Sequence, residues 1–141
     1  MSAIEIRCLD HVVVRVVDPA RSLRFYCDVL GCVEERRLDA LGLVQLRAGA
    51  SLIDLVAIDS PLGRVGGPPP GENGLGRNVD HFAVQLERFD EPALRAHLET
   101  WGVEPGEVAE RYGAAGPGPS MYVRDPDGNV VELKGPASES R

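Results

Sequence analysis

At 141 residues the chain is about one domain long and can bury a sizeable core. Its 43% hydrophobic and 26% charged residues are ordinary for a globular protein, while a net charge of −7 and a pI near 4.9 argue against nucleic acid or an anionic membrane as the main partner. No apolar run approaches the roughly 20 residues of a membrane span, and Met1-Ser2-Ala3-Ile4-Glu5 lacks the basic and apolar parts of a secretion signal. With an odd three cysteines inside apolar patterns, the expectation is a cytoplasmic protein with reduced thiols and no disulfide framework.

Residues 9–17 are dense in valine and end at Asp18-Pro19, which predicts a strand. Alternation sets Leu9, His11, Val13 and Arg15 on one face and Val12, Val14 and Val16 on the other. Asp18 as N-cap and Pro19 at the first helical position open a helix with Leu23, Tyr26, Cys27 and Leu30 as its stripe and Gly31 after its end. Strands are predicted over 32–38, 43–48 and 52–58, with Gly42 and Gly49 in the turns. In the last of them Asp54 sits between Ile53 and Leu55, a costly place for a carboxylate unless something pairs with it. Arg47 is a candidate partner.

From 59 to 78 the chain turns rich in proline and glycine, as in Gly66-Gly67-Pro68-Pro69-Pro70-Gly71, and reads as a long connection without a regular element. Such a loop serves equally well as a linker or as cover for a site.

The second half repeats the first. Val79-Asp80-His81-Phe82-Ala83-Val84 echoes Leu9-Asp10-His11-Val12-Val13-Val14. His81 and Gln85 share one strand face, with Phe82, Val84 and Leu86 on the other. Asp90 and Pro92 open a helix with Leu94, Leu98 and Trp101 as its buried stripe and Gly102 as its stop. A strand within 103–112, a glycine-rich segment over 113–119, a strand over 120–124, the turn Asp125-Pro126-Asp127-Gly128 and a strand over 129–134 complete the half. The boundaries are residues 7–59 for a first β-α-β-β-β module, 60–77 for the linker, 78–135 for a second module and 136–141 for a loose tail.

Two residues of metal-ligating type recur in each module, near its first and last strands. His11 and Asp54 belong to the first, His81 and Glu132 to the second. Taken singly, a strand histidine is usually packed or solvated, and each carboxylate has an arginine within reach, Arg47 or Arg124. Their joint recurrence, flanked by apolar residues, suits a divalent transition ion such as Ni, Co, Fe, Mn or Zn. Asp10 and Asp80 point to the opposite face by alternation and are not counted as ligands.

The repeat, the two Asp-His strands, Leu52-Ile53-Asp54-Leu55 and the closing run from Tyr122 through Asp125-Pro126-Asp127-Gly128 to Glu132-Leu133 resemble the vicinal oxygen chelate superfamily. That group includes glyoxalase I, bleomycin- and fosfomycin-resistance proteins and extradiol dioxygenases. The resemblance implies an α+β fold in which paired βαβββ modules form a curled mixed sheet, a half-barrel cup, with the helices outside. It also implies metal ligands at His11, His81 and Glu132, and at Asp54, where glyoxalase I has a glutamate. A glyoxalase-like lyase or isomerase would chelate vicinal oxygens of a small molecule, with Glu132 or Asp54 moving the proton. Arg15 stands where glyoxalase I has a glutathione-contacting arginine; Tyr122 and Gln85 complete the substrate-binding set. Chains of this length in the family usually pair, so a homodimer is expected.

The departures bear on substrate. The glycine-rich segment contains no Lys or Arg pair for the glutathione glycyl carboxylate, and so acidic a chain is a poor source of a basic anion pocket. An extradiol dioxygenase fits Met121-Tyr122 and the ending, but residues 113–120 hold no acid–base histidine. A non-catalytic small-molecule or antibiotic-binding protein is the alternative of another class.

Overall fold

The computed structural model describes residues 8–68, 79 and 81–138, with two compact units that part between Pro69 and Pro70. The first unit opens with β1 (His11–Val16), α1 (Pro19–Leu23) and a π-helical turn, Arg24–Val29. There follow β2 (Val33–Leu38), a 3-10 turn (Asp39–Leu41), β3 (Leu43–Ala48), β4 (Ser51–Ala57) and α2 (Pro61–Arg64). Its open sheet has the order β1-β4-β3-β2, with β1 parallel to β4 and the other pairs antiparallel. A parallel pair needs a crossover, and α1 together with β2 and β3 supplies the intervening chain.

Period-2 alternation divides the sheet. Val14 and Val16 of β1, Val44 and Leu46 of β3, and Ile53 and Leu55 of β4 are all buried, together with Phe25, Tyr26 and Val29. The opposite face carries His11, Val13, Arg15, Asp54 and Gln45, with Val13 paired to Asp54 and Asp54 to Gln45.

The second unit comprises β5 (Phe82–Gln85), α3 (Glu91–Thr100), β6 (Val108–Arg111), β7 (Gly118–Arg124) and β8 (Val130–Lys134). Its sheet order, β5-β8-β7-β6, repeats the first pattern with β5 parallel to β8. Met121, Val123, Val131 and Leu133 are buried on one face, and Leu98 of α3 is buried with them. The α+β class with mixed sheets is as expected, and neither sheet closes into a barrel.

Three local readings change. The helix expected through Leu30 is α-helical for only five residues. Beyond Leu23 the turns widen, with the Leu30 N–H donating to the Phe25 carbonyl at 3.1 Å. The buried stripe is Ser22, Phe25, Tyr26 and Val29, one residue ahead of the expected one, and the offset is already present at Ser22, before the turns widen. The connection after residue 59 does contain a regular element. Ser60 caps α2 by accepting the Gly63 N–H at 3.0 Å, and Pro61 at the first turn has no N–H to strand, so even a glycine-bearing tetrapeptide forms a helix. Residues 69–78 of that connection lie outside the described set. Trp101 is 49% exposed, not part of a buried stripe, because it is the C-cap of α3, where the chain leaves helical periodicity before Gly102 at φ +72°.

Candidate metal centre

The two histidine–carboxylate pairs are built alike. In the first unit, Asp54 stands opposite Val13, two residues beyond His11. In the second, Glu132 stands opposite Ala83, two residues beyond His81. Parallel neighbours in register project to the same face, so each histidine shares a face with its carboxylate at the same offset. Among the described residues no three His, Cys, Asp or Glu side chains gather into a complete ligand set, and each unit by itself supplies two.

His11 begins β1 and is exposed. Its Nδ1 lies 2.8 Å from Oδ2 of Asp10. An ionised carboxylate only accepts, so Nδ1 carries the proton and, in the neutral ring, Nε2 keeps the lone pair a metal requires. Asp10 thus does not turn away from its neighbour: it precedes the strand, where alternation does not yet constrain its side chain. The Asp10 hydrogen bond is the main reason the His11 pKa is raised; hydration lost at the strand opposes it, and the Asp54 charge adds to the rise.

Asp54 is only 4% exposed. Gln45, directly opposite on β3, donates from Nε2 to Oδ2 at 3.1 Å, and Oδ1 is buried with no hydrogen-bond partner among the described residues. Arg47 is not the partner. It faces Leu52 in the ladder and forms a two-bond fork with Glu35, at 2.9 and 2.8 Å. A buried carboxylate oxygen without a donor is the kind of atom a cation satisfies.

His81 immediately precedes β5, and its Nε2 faces Oε1 of Glu132 at 3.1 Å. Glu132 is buried in β8. Its partner is thus this imidazole and not Arg124, which reaches the Gly128 carbonyl at 3.5 Å. The Tyr122 ring meets His81 edge-on at 5.1 Å, because Tyr122 stands opposite Glu132 on β7.

Of the expected substrate contacts, Arg15 donates through Nη1 to the Gly66 carbonyl at 3.0 Å and through Nη2 to that of Gly67. Gln85 is exposed at the end of β5, opposite Lys134. Asp10 was set aside in the sequence reading, and Gln45, Arg111 and Lys134 escaped it. Gln45 could have been found by counting three residues each way from the Ala48–Ser51 pair that closes the Gly49-Ala50 hairpin. For Arg111 and Lys134 no sequence motif gave a signal.

A chemically matched donor set, placed by one register rule in two successive units, invites comparison with known proteins. The family model for the Glyoxalase/Bleomycin resistance protein/Dioxygenase superfamily matches residues 8–133. The virulence protein STM3117 of Salmonella typhimurium is 31% identical over 130 residues, spanning 89% of this chain and 81% of that protein. The integron cassette protein VCH_CASS1 from the mobile metagenome of V. Cholerae superposes with a TM-score of 0.70 at 27% identity, over 95% of this chain and 98% of that one. A lactoylglutathione lyase from Agrobacterium tumefaciens shares the fold, with a TM-score of 0.68 at 21% identity over 93% and 95% of the two chains. Both the register of the repeated β-α-β-β-β units and the span of the match lead to one statement: the chain belongs to the Glyoxalase/Bleomycin resistance protein/Dioxygenase superfamily, the vicinal oxygen chelate proteins.

Proposed function

We propose that the protein is a metal-dependent, glyoxalase-like lyase or isomerase acting on a small molecule with vicinal oxygens, not one linked to glutathione. The observation that carries this reading is the buried Oδ1 of Asp54, without a hydrogen-bond partner among the described residues, on the face of His11, and the like pairing of His81 with Glu132 in the second unit. His11, Asp54, His81 and Glu132 would hold the divalent ion, with imidazole and carboxylate donors that suit Ni, Co, Fe, Mn or Zn. When bound, such an ion polarises a carbonyl or hydroxyl oxygen as a Lewis acid.

The chain's own groups supply the rest. Asp10 fixes the His11 tautomer. Glu132 or Asp54 moves the proton between substrate carbon and oxygen, and a carboxylate in a buried setting is shielded from competing water. Tyr122 bounds the second unit's pair and orients the substrate. Arg15 and Gln85 are the further contacts. The protein works as a homodimer in the cytoplasm.

Metal analysis of the purified protein, before and after His81→Ala, tests the reading. Wild type should load one of these ions and the variant should lose it; a wild type that purifies without metal and takes up none would favour the non-catalytic binding reading. Proton exchange into 2-hydroxycarbonyl substrates should accompany metal loading. Oxygen uptake with catechols would instead identify an extradiol dioxygenase, a reading favoured by the position of Tyr122 against His81.

A further inference from the structure

The face that carries His81 and Glu132 also carries two cations, neither with a carboxylate partner among the described residues. Arg111 ends β6 opposite Gly118, and Lys134 ends β8 opposite Ser120. Alternation places Arg111, Gly118, Ser120, Tyr122, Glu132 and Lys134 on one side of the sheet.

Arg111 is held on two sides. Its Nη1 donates to the Ser120 carbonyl at 2.9 Å and to Ser120 Oγ at 2.8 Å. Its guanidinium lies over the Tyr122 ring, 4.4 Å from the centroid, and that ring stands in a T-shaped pair with His81, 5.1 Å between centroids. Nε and Nη2 have no protein partner among the described residues, which leaves one edge of a rigid, half-exposed fork free. A free planar edge is the geometry that receives a carboxylate or phosphate through two parallel bonds.

Lys134 stands opposite Ser120, the residue that holds Arg111, and is 4% exposed. Among the described residues its Nζ donates only to carbonyls, those of Gly116 at 3.0 Å and Gly135 at 3.3 Å. The missing side chain at Gly118 makes this possible, since a Cβ there would stand 3.1 Å from Nζ and 2.4 Å from the Pro136 carbonyl. Ammonium groups this deep are normally neutralised by an anion, and carbonyl dipoles alone leave its field uncompensated.

We propose that Arg111, fixed by Ser120 and Tyr122 and backed by the charge of Lys134, forms a subsite for an oxyanion of the substrate, a carboxylate or phosphate, one tyrosine ring away from His81. This rests on the reading that the His81–Glu132 face is where substrate binds. It also revises the expectation that so acidic a chain lacks a basic anion pocket. The glycine-rich loop has no basic residue of its own, and β6 and β8 supply the two.

Isothermal titration with dihydroxyacetone phosphate, dihydroxyacetone and inorganic phosphate tests the subsite. Wild type should bind the phosphorylated compound at least tenfold more tightly than dihydroxyacetone, and the gap should narrow with added salt. Arg111→Gln should remove the difference and leave the affinity for dihydroxyacetone unchanged; Arg111→Lys should restore part of it. Lys134→Met, with folding checked by thermal melting, should weaken phosphate binding without touching metal content. Inorganic phosphate should still bind metal-stripped wild type and His81→Ala, so loss of the metal reading and loss of this one are separable. Equal affinities for the two dihydroxyacetones in wild type, unchanged phosphate binding in Arg111→Gln, or phosphate binding that vanishes on metal removal would each overturn the proposal.

Discussion

Gln45 and Asp54 face each other across the β3–β4 ladder and share one 3.1 Å hydrogen bond, which is all the hydrogen bonding the buried carboxylate receives among the described residues. Removing that donor should strand the charge. Gln45→Leu is expected to cost about 2 kcal/mol, the penalty for leaving a buried acceptor without a partner. Asp54→Asn should act in the opposite sense, raising the melting temperature of the metal-free protein by a few degrees because a neutral amide is easier to bury. The same substitution should weaken metal affinity at least tenfold. Chemical unfolding of the metal-free forms and metal titration check the two halves; an Asp54→Asn protein that is less stable without metal would show that the carboxylate is structural.

Asp125 is buried in the β7–β8 turn. Its Oδ1 accepts the backbone N–H groups of Asp127 at 2.9 Å and Asn129 at 2.7 Å, and its Oδ2 accepts Asn129 Nδ2 at 2.8 Å. Asp125→Ala therefore removes three charge-assisted bonds and should destabilise the protein by about 3 kcal/mol, seen as a lower urea midpoint. At a temperature where the variant stays folded its metal content should be unchanged.

Burial pushes the Cys32 thiol up to about 11, and the neighbouring Cys27 adds to the shift. The thiol is therefore almost fully protonated at pH 8 and should resist alkylation, whereas exposed Cys8 reacts quickly. The folded pKa lies above the unfolded one, so folding favours the protonated form. That stability is complete below the unfolded pKa and is lost as pH rises from about 9 to 11. Cys32→Ala should flatten this alkaline decline in a pH series of melting temperatures.

Arg15 ties the residues after α2 to β1 through the Gly66 and Gly67 carbonyls. A Cβ at Gly66 would lie 2.7 Å from Nη1, so the tie also depends on glycine there. Arg15→Met and Gly66→Ala should both loosen this segment, measured as faster tryptic cleavage after Arg64. Unchanged cleavage in both would show that α2 is held by Ser60 and its own turn.

Much of this was legible from local chemistry. Asp18-Pro19 and Asp90 with Pro92 mark helix starts because capping and proline act within one turn. Alternation within β1 set His11 with Val13 and Arg15, opposite Val14 and Val16, as the structure has it; that Asp54 shares the His11 face came from the β1–β4 register. The Ser60-Pro61 start was equally local but was masked by the surrounding glycine and proline. The buried stripe of the first helix was placed one residue late, because half-buried Leu23, Cys27 and Leu30 are as apolar as the residues that face the core, and hydropathy alone does not choose between two adjacent helical phases.

The sequence by itself determined the repeat, the strand faces and the four residues of ligand type, since each follows from periodicity and identity along one stretch of chain. Tertiary structure decided who partners whom. Register set Gln45, not Arg47, against Asp54, and His81, not Arg124, against Glu132. It also brought Arg111 and Lys134, 23 positions apart in the sequence, to one face of the second sheet. Pairings of that kind depend on how far each strand slides along its neighbour, and a slide of two residues keeps every face intact while changing every partner.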